Sequence, residues 1–186
     1  MAEARHSLQD MDKGAGMYYK TNYASPLGPV TLASDGKNIV GLWFDGQKYY
    51  GGSIKGELTA DDALPVFTAA KKWLDRYFNG ARPPASKLPI RPLGSDFRRE
   101  VWKTLCEIPY GAYTTYGDIA KKIAVATNNP RMSARAIGGA VGHNPISIII
   151  PCHRVIGANG KLTGYAGGID KKIKLLQLEG TPLPVK

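Results

Sequence analysis

The segment IIIPCHRVIGANG, Ile148 to Gly160, sets a cysteine, a histidine and an arginine in a row behind three isoleucines and a proline. A thiol becomes a nucleophile once it ionises, and a neighbouring base or cation promotes that. Cys152, His153 and Arg154 therefore supply the parts of a nucleophilic site. Neighbours in a strand point to opposite faces, so a direct Cys152–His153 contact is not expected. Pro151 ends the strand, and in the turn beyond it a bridging water can link thiol and imidazole. A carboxylate orienting the imidazole would complete a triad. Spacing does not select that acid, but Glu179 stands out, because an acid in an apolar helix end needs a partner. From the dipeptide alone, a packed core thiol beside a surface histidine is the stronger reading, since free cysteine is commonly buried and inert. Cys106, with no histidine near it and Glu107 beside it, reads as such a structural thiol.

The chain that must position these residues has 186 residues, enough for one large or two small cores. It contains 43% hydrophobic and 22% charged residues, an ordinary soluble composition. No apolar run approaches the roughly 18 residues of a membrane helix. The first 16 residues lack a secretory apolar region and read as a disordered tail. Two cysteines make no disulfide framework, so a cytoplasmic location is expected. The formal net charge of +10 points to a polyanionic partner, nucleic acid before membrane.

Residues 17–80 read as an N-terminal α/β unit. MYYKTNYAS, PVTLAS and NIVGLWF are strand-like, the last two joined across Asp35-Gly36, which predicts a β-meander. GQKYYGGSIKGELTADD reads as loop. In ALPVFTAAKKWLDRYFNG, Phe67, Ala70, Leu74, Tyr77 and Phe78 form one helical face between Pro65 and Asn79-Gly80. Residues 81–94 carry four of the 13 prolines and read as an extended linker.

Residues 95–180 form the second unit, and 181–186 a tail. Phe97, Val101, Leu105 and Ile108 share a helix face behind Ser95 or Asp96 as cap. Thr115 with Asp118 resembles a capping box, followed by Ile119, Ala120 and Ile123. A further helix is capped by Ser133, with Ala136, Ile137, Ala140 and Val141 inward, Arg131 and Arg135 outward, and small residues Gly138, Gly139 and Ala140 on another side. Two short helices joined by a turn predict a helix-turn-helix. PISIII reads as a buried strand and IGANGKLTGYAGG as a hairpin or wing. The last helix presents Ile169, Ile173, Leu176 and Gln177 near one face and stops at Gly180.

IPCHRV, preceded by GHNP and followed by GYAGG, resembles the methylated-DNA–protein-cysteine methyltransferases, the O6-alkylguanine-DNA alkyltransferases. The resemblance runs from Asp96 to Gly180 and includes Tyr116, Arg135, Asn144 and Glu179 within LLQLEG. It implies an α+β fold: a small N-terminal sheet and helix of ribonuclease-H-like type, then a winged helix-turn-helix-like domain. It also implies roles. Cys152 is the alkyl acceptor, His153 the base acting through water, and Glu179 the orienting acid. Asn144 ties the helix-turn-helix to the acceptor segment. Arg135 enters the duplex where a flipped nucleotide leaves, and Tyr116 crowds its phosphate. Ala136, Gly138 and Gly139 lie along the helix that approaches the minor groove. Tyr165, with the backbones of Val155 and Ala166, walls the guanine pocket. Some members have Ser where Ala166 stands, so any hydroxyl role is absent. The zinc ligands of some members have no counterparts before Tyr49, so neither metal nor cofactor is expected.

The implied activity is single-turnover transfer of an O6-alkyl group of guanine from double-stranded DNA to Cys152 by a monomer, with no membrane partner; O4-methylthymine is the second candidate substrate. Three other readings compete. A noncatalytic winged-helix damage sensor explains the charge but has no use for Cys152 or His153. A cysteine hydrolase needs an oxyanion hole that the sequence does not locate. A DNA-packaging protein does not need the apolar run leading to PCHR. Arg154 can neutralise either a neighbouring acid or a phosphate, and the N-terminal unit shows no readable site.

Overall fold

The computed structural model describes residues 16–52 and 54–182. The expected disordered tail falls, apart from Gly16, outside the described residues, as do residues 183–186. Strands β1 (Tyr18–Ser25), β2 (Gly28–Ser34) and β3 (Ile39–Phe44) form the expected meander. A fourth strand, β4 (Leu58–Ala60), pairs parallel to β1, giving the order β3-β2-β1-β4. It lies in the stretch expected to be loop. Three residues flanked by polar chain carry too little period-2 signal to be read as a strand.

Helix α1 (Pro65–Phe78) covers the sheet and buries Val66, Phe67, Ala70, Trp73, Leu74 and Tyr77. Strand β3 is buried along its whole length although it is the edge of the sheet. Its free edge is covered at two points. Ile39 N donates to Pro89 O at 2.8 Å, and Arg91 N donates to Ile39 O at 2.8 Å. At the other end, Leu42 N donates to Pro145 O and Ser147 N to Leu42 O, both at 2.9 Å. Edge groups that would otherwise go unpaired are thus satisfied by two irregular segments. The proline-rich stretch is therefore no free tether: it holds a 3₁₀ turn at Ala85–Lys87 and docks on β3 at Ile90.

Helices α2 (Asp96–Cys106), α3 (Tyr116–Ala126) and α4 (Ala134–Gly142) follow. Ser95, Thr115 and Ser133 cap them, each side chain accepting from the backbone N–H three residues on. Trp102 is fully buried, and its Nε1 donates to Ala140 O at 2.9 Å, fixing α2 against α4. Strands β5 (Thr114–Thr115) and β6 (Val155–Ile156) pair in parallel, and α5 (Ile169–Leu178) closes the fold. The architecture is α+β, and its core is continuous from β2 and β3 through α1, α2 and α4 to α5.

Several expectations are corrected. PISIII is not a strand: only Ile146 bridges to Leu42, and residues 147–149 form turns followed by a bend at Ile150. No hairpin forms beyond it; residues 158–160 make a 3₁₀ turn instead. Ala136 is exposed rather than inward, and Phe97 is partly exposed. In α5 the buried residues are Lys172, Leu175 and Leu176, while Ile169 and Gln177 face solvent. Cys106 ends α2 at the surface and is not a core thiol.

Candidate active site

The segment around Cys152 gets its shape from one side chain. Asn144, buried just after α4, accepts from Ile146 N at 3.0 Å through Oδ1. Its Nδ2 donates to Ile150 O at 2.8 Å and reaches Cys152 Sγ at 3.0 Å. A side-chain amide thus replaces the ladder partners of a strand, which is why the apolar run folds into turns. Ile148 takes φ 69° within it while buried. A β-branched residue in the left-handed region costs about 1–3 kcal/mol, and the surrounding hydrogen bonds hold it there.

Cys152 begins a one-turn 3₁₀ helix, Cys152–Arg154, and is buried. Burial raises its thiol pKa, while the Asn144 hydrogen bond and the charge of Lys172 lower it. The thiol is therefore protonated at rest and needs a base.

His153 is fully buried beside it. Its Nε2 lies 2.8 Å from Glu179 Oε1. An ionised carboxylate only accepts, so Nε2 carries the proton. Burial lowers the imidazole pKa against the pull of Glu179, so the ring is neutral and Nδ1 keeps its lone pair. Nδ1 is buried without a hydrogen-bond partner among the described residues. It is the one free basic nitrogen in the site, next in sequence to the thiol.

Glu179 caps the end of α5, fully buried at its side chain. Tyr77 Oη donates to Oε1 at 2.7 Å. Arg154 donates from Nε to Oε2 at 2.8 Å and from Nη2 to Oε1 at 2.9 Å, and from Nη1 to Ile108 O at 2.6 Å. Gly111 N donates to Oε2 at 3.3 Å. At Gly111 φ is 77° and an added Cβ would stand 3.0 Å from Glu179 O, so glycine is needed there. Burial alone would raise the Glu179 carboxyl, but the His153 and Arg154 hydrogen bonds outweigh it and bring it to about 2.

Lys172 is buried with its ammonium on three carbonyl oxygens: Val155 at 2.5 Å, Thr163 at 3.0 Å and Gly164 at 3.2 Å. It ties α5 to β6 and to the glycine-rich loop. Burial lowers its pKa to about 8, partly offset by Cys152.

Above Cys152 lies a cavity of about 270 Å³. Tyr116, Gly138, Gly139, Tyr165 and Ala166 line it together with Cys152. Tyr116 Oη donates to Thr163 O at 3.3 Å, and the buried Tyr165 hydroxyl has no partner among the described residues. Arg135 stands exposed on α4, at three- and four-residue steps from Gly138 and Gly139. Among the described residues there is no cluster of three or more His, Cys, Asp or Glu able to hold a metal. No helix there is long and apolar enough to cross a membrane.

Two family models cover most of the chain. The 6-O-methylguanine DNA methyltransferase DNA-binding domain matches residues 96–181, and the ribonuclease-like domain of the same family matches residues 17–92. The chain belongs to the 6-O-methylguanine DNA methyltransferase family. A methylated-DNA–protein-cysteine methyltransferase of Methanosarcina barkeri is 46% identical over 165 residues, 88% of this chain and 97% of the relative. One of Haemophilus influenzae is 44% identical over 164 residues, 88% and 87% of the two chains. The crystal structure of Mycobacterium tuberculosis OGT in complex with DNA superposes with a TM-score of 0.74 at 42% identity, covering 91% of this chain and 96% of that one.

Of the residues singled out by the methyltransferase motifs, Cys152 with Asn144 and His153 with Glu179 form two buried hydrogen-bonded pairs, adjacent through the Cys152–His153 peptide. Tyr116, Gly138, Gly139, Tyr165 and Ala166 meet at the cavity, while Arg135 and Ala136 lie outside it on exposed α4. Val155 is absent from the cavity lining: it is buried, with its carbonyl held by Lys172. Sequence reasoning missed Tyr77 and Lys172. Tyr77 looked like one more apolar-face residue. Lys172 carried a readable signal, a lysine between apolar positions of an amphipathic helix.

Proposed function

We propose that this chain transfers an alkyl group from O6 of guanine in double-stranded DNA to Cys152 Sγ, once per molecule. The observation that carries this reading is a buried thiol with Asn144 on its sulfur, next in sequence to a neutral His153 whose Nδ1 has no partner among the described residues. His153 Nδ1 takes the thiol proton, through a water, and Glu179 stabilises the resulting imidazolium. The thiolate attacks the alkyl carbon. The S–C bond forms, the C–O6 bond breaks, and its electron pair leaves on guanine, which regains a proton. The thioether product has no acidic proton and is a poor leaving group, so the protein is consumed.

The target carbon cannot reach a buried sulfur while the base is stacked. The nucleotide must be flipped, at a cost of a few kcal/mol. Tyr116 at the cavity mouth crowds the target phosphate, Arg135 occupies the gap in the stack, and the glycine face of α4 lets the helix approach the minor groove. The +10 charge supplies sequence-independent affinity, which suits lesions occurring in any sequence. A monomer acting in the cytoplasm fits this reading. A noncatalytic sensor would leave the Cys152–Asn144 hydrogen bond and the His153–Glu179 pair without use.

The test is transfer of radiolabelled methyl from DNA bearing O6-methylguanine, comparing wild type with Cys152→Ala. Label reaching about one per molecule, and absent from the variant, supports the acceptor role. DNA binding without label in either protein overturns it.

A further inference from the structure

The N-terminal unit reaches the acceptor cavity through one loop, residues 45–50. Gln47 is buried, and its Oε1 accepts from Phe44 N at 3.1 Å and from Ser147 Oγ at 3.0 Å. Lys48 N donates to Ala166 O at 3.0 Å, and Tyr50 Oη to Thr31 Oγ1 at 2.8 Å. Between these anchors Tyr49 takes φ 62° and places its ring in the cavity lining. The ring stacks on His143, with centroids 3.9 Å apart and planes 21° from parallel. His143 is itself fixed by a hydrogen bond of 2.7 Å between Nδ1 and Gly139 O. The Lys48 ammonium lies 5.0 Å from the Tyr49 ring centre. The stack therefore borders the cavity where the N-terminal loop meets the end of α4.

We propose that Tyr49, stacked on His143, is a specificity-determining wall that limits the size of the O6 substituent the site accepts. This rests on the alkyl-transfer reading above. The cavity, at about 270 Å³, falls just below the roughly 300–1,000 Å³ of common ligand sites. It suits a purine with a small alkyl group. The carbon attacked by Cys152 sits against the sulfur, so any longer substituent must extend along the lining. Tyr49, from a loop whose backbone is pinned on both sides of the ring, and His143, at the end of α4, line that space. The wall selects against bulky, aryl-bearing substituents and leaves methyl unhindered.

Single-turnover transfer rates from duplex DNA bearing O6-methylguanine or O6-benzylguanine test this in wild type, Tyr49→Ala, Tyr49→Phe and His143→Ala. The benzyl-to-methyl rate ratio is expected to rise about tenfold or more in Tyr49→Ala, as for removal of steric exclusion from an apolar pocket. It should rise in His143→Ala, which frees the ring, and stay at the wild-type value in Tyr49→Phe, which keeps it. A ratio unmoved in Tyr49→Ala, with methyl still transferred, overturns the wall and leaves the acceptor reading standing. A wild type that transfers neither group overturns the acceptor reading itself.

Discussion

Arg154 and Glu179 form a two-pronged ion pair, Nε to Oε2 at 2.8 Å and Nη2 to Oε1 at 2.9 Å, on the carboxylate that also holds His153. Arg154, two residues after Cys152, thus neutralises an acid and not a phosphate. Glu179 titrates near 2 in the fold against an ordinary 4.5. A depressed carboxylate stabilises the protein at pH values above its unfolded pKa and loses that contribution as pH falls toward the folded one. The linkage amounts to roughly 3 kcal/mol, lost between about pH 5 and pH 2. Urea unfolding of wild type across that range should show the loss, and Glu179→Gln should show a smaller slope from a lower starting stability. Equal slopes in both proteins would contradict the pairing.

Asn144 Nδ2 donates to the Cys152 sulfur, while Oδ1 separately holds Ile146 N. Asn144→Asp keeps the acceptor and loses the donor. The thiol pKa should then rise, and alkylation of Cys152 by iodoacetamide at neutral pH should slow about tenfold or more, the worth of a hydrogen bond to a charged group. Exposed Cys106 serves as internal control when both sites are followed by mass spectrometry. A Cys152 pH profile unchanged by the substitution would show that the amide serves only the backbone.

Lys172 has its pKa lowered to about 8, below the ordinary 10.5. Between those values the unfolded chain binds the extra proton, so this residue makes stability rise with pH from about 8. Cys152 and the buried tyrosines, all raised, act in the opposite direction at higher pH. The effect is therefore cleanest as a difference between wild type and Lys172→Met from pH 7 to 9. The wild type should gain relative to the variant. In parallel, loss of the cation should raise the Cys152 pKa. No relative gain would mean that the three carbonyls fully compensate the buried charge.

Much of this was legible in the sequence, for reasons that differ by residue. The meander, α1 and the three serine and threonine caps follow from local pattern, which the structure keeps. The IIIPCHR segment misled, because its run of isoleucines has the composition of a strand while Asn144 supplies a competing set of hydrogen bonds from outside the run. Glu179 was visible as an acid in an apolar helix end, but its partnership with Tyr77 joins residues 102 positions apart, beyond any local pattern. Ala136 was placed inward by spacing alone, and it does lie one turn before buried Ala140; but it falls in the first turn of α4, where only Ile137 is buried.

The exposed side of α4 allows stability and DNA binding to be moved in opposite directions. An added Cβ at Gly139 meets nothing within 4 Å, and its φ is not positive. Gly139→Ala should therefore stabilise the helix, by up to about 1 kcal/mol from propensity alone. If α4 lies against the groove, the same methyl group intrudes where backbone must approach DNA, and affinity should fall several-fold. Arg135→Ala, on the same face, should also weaken binding but leave the melting temperature nearly unchanged, since the side chain is exposed. Thermal unfolding and fluorescence-anisotropy titrations on one duplex, at one salt concentration, measure both quantities. A Gly139→Ala protein that melts higher and binds DNA as tightly as wild type would place the duplex on some other face.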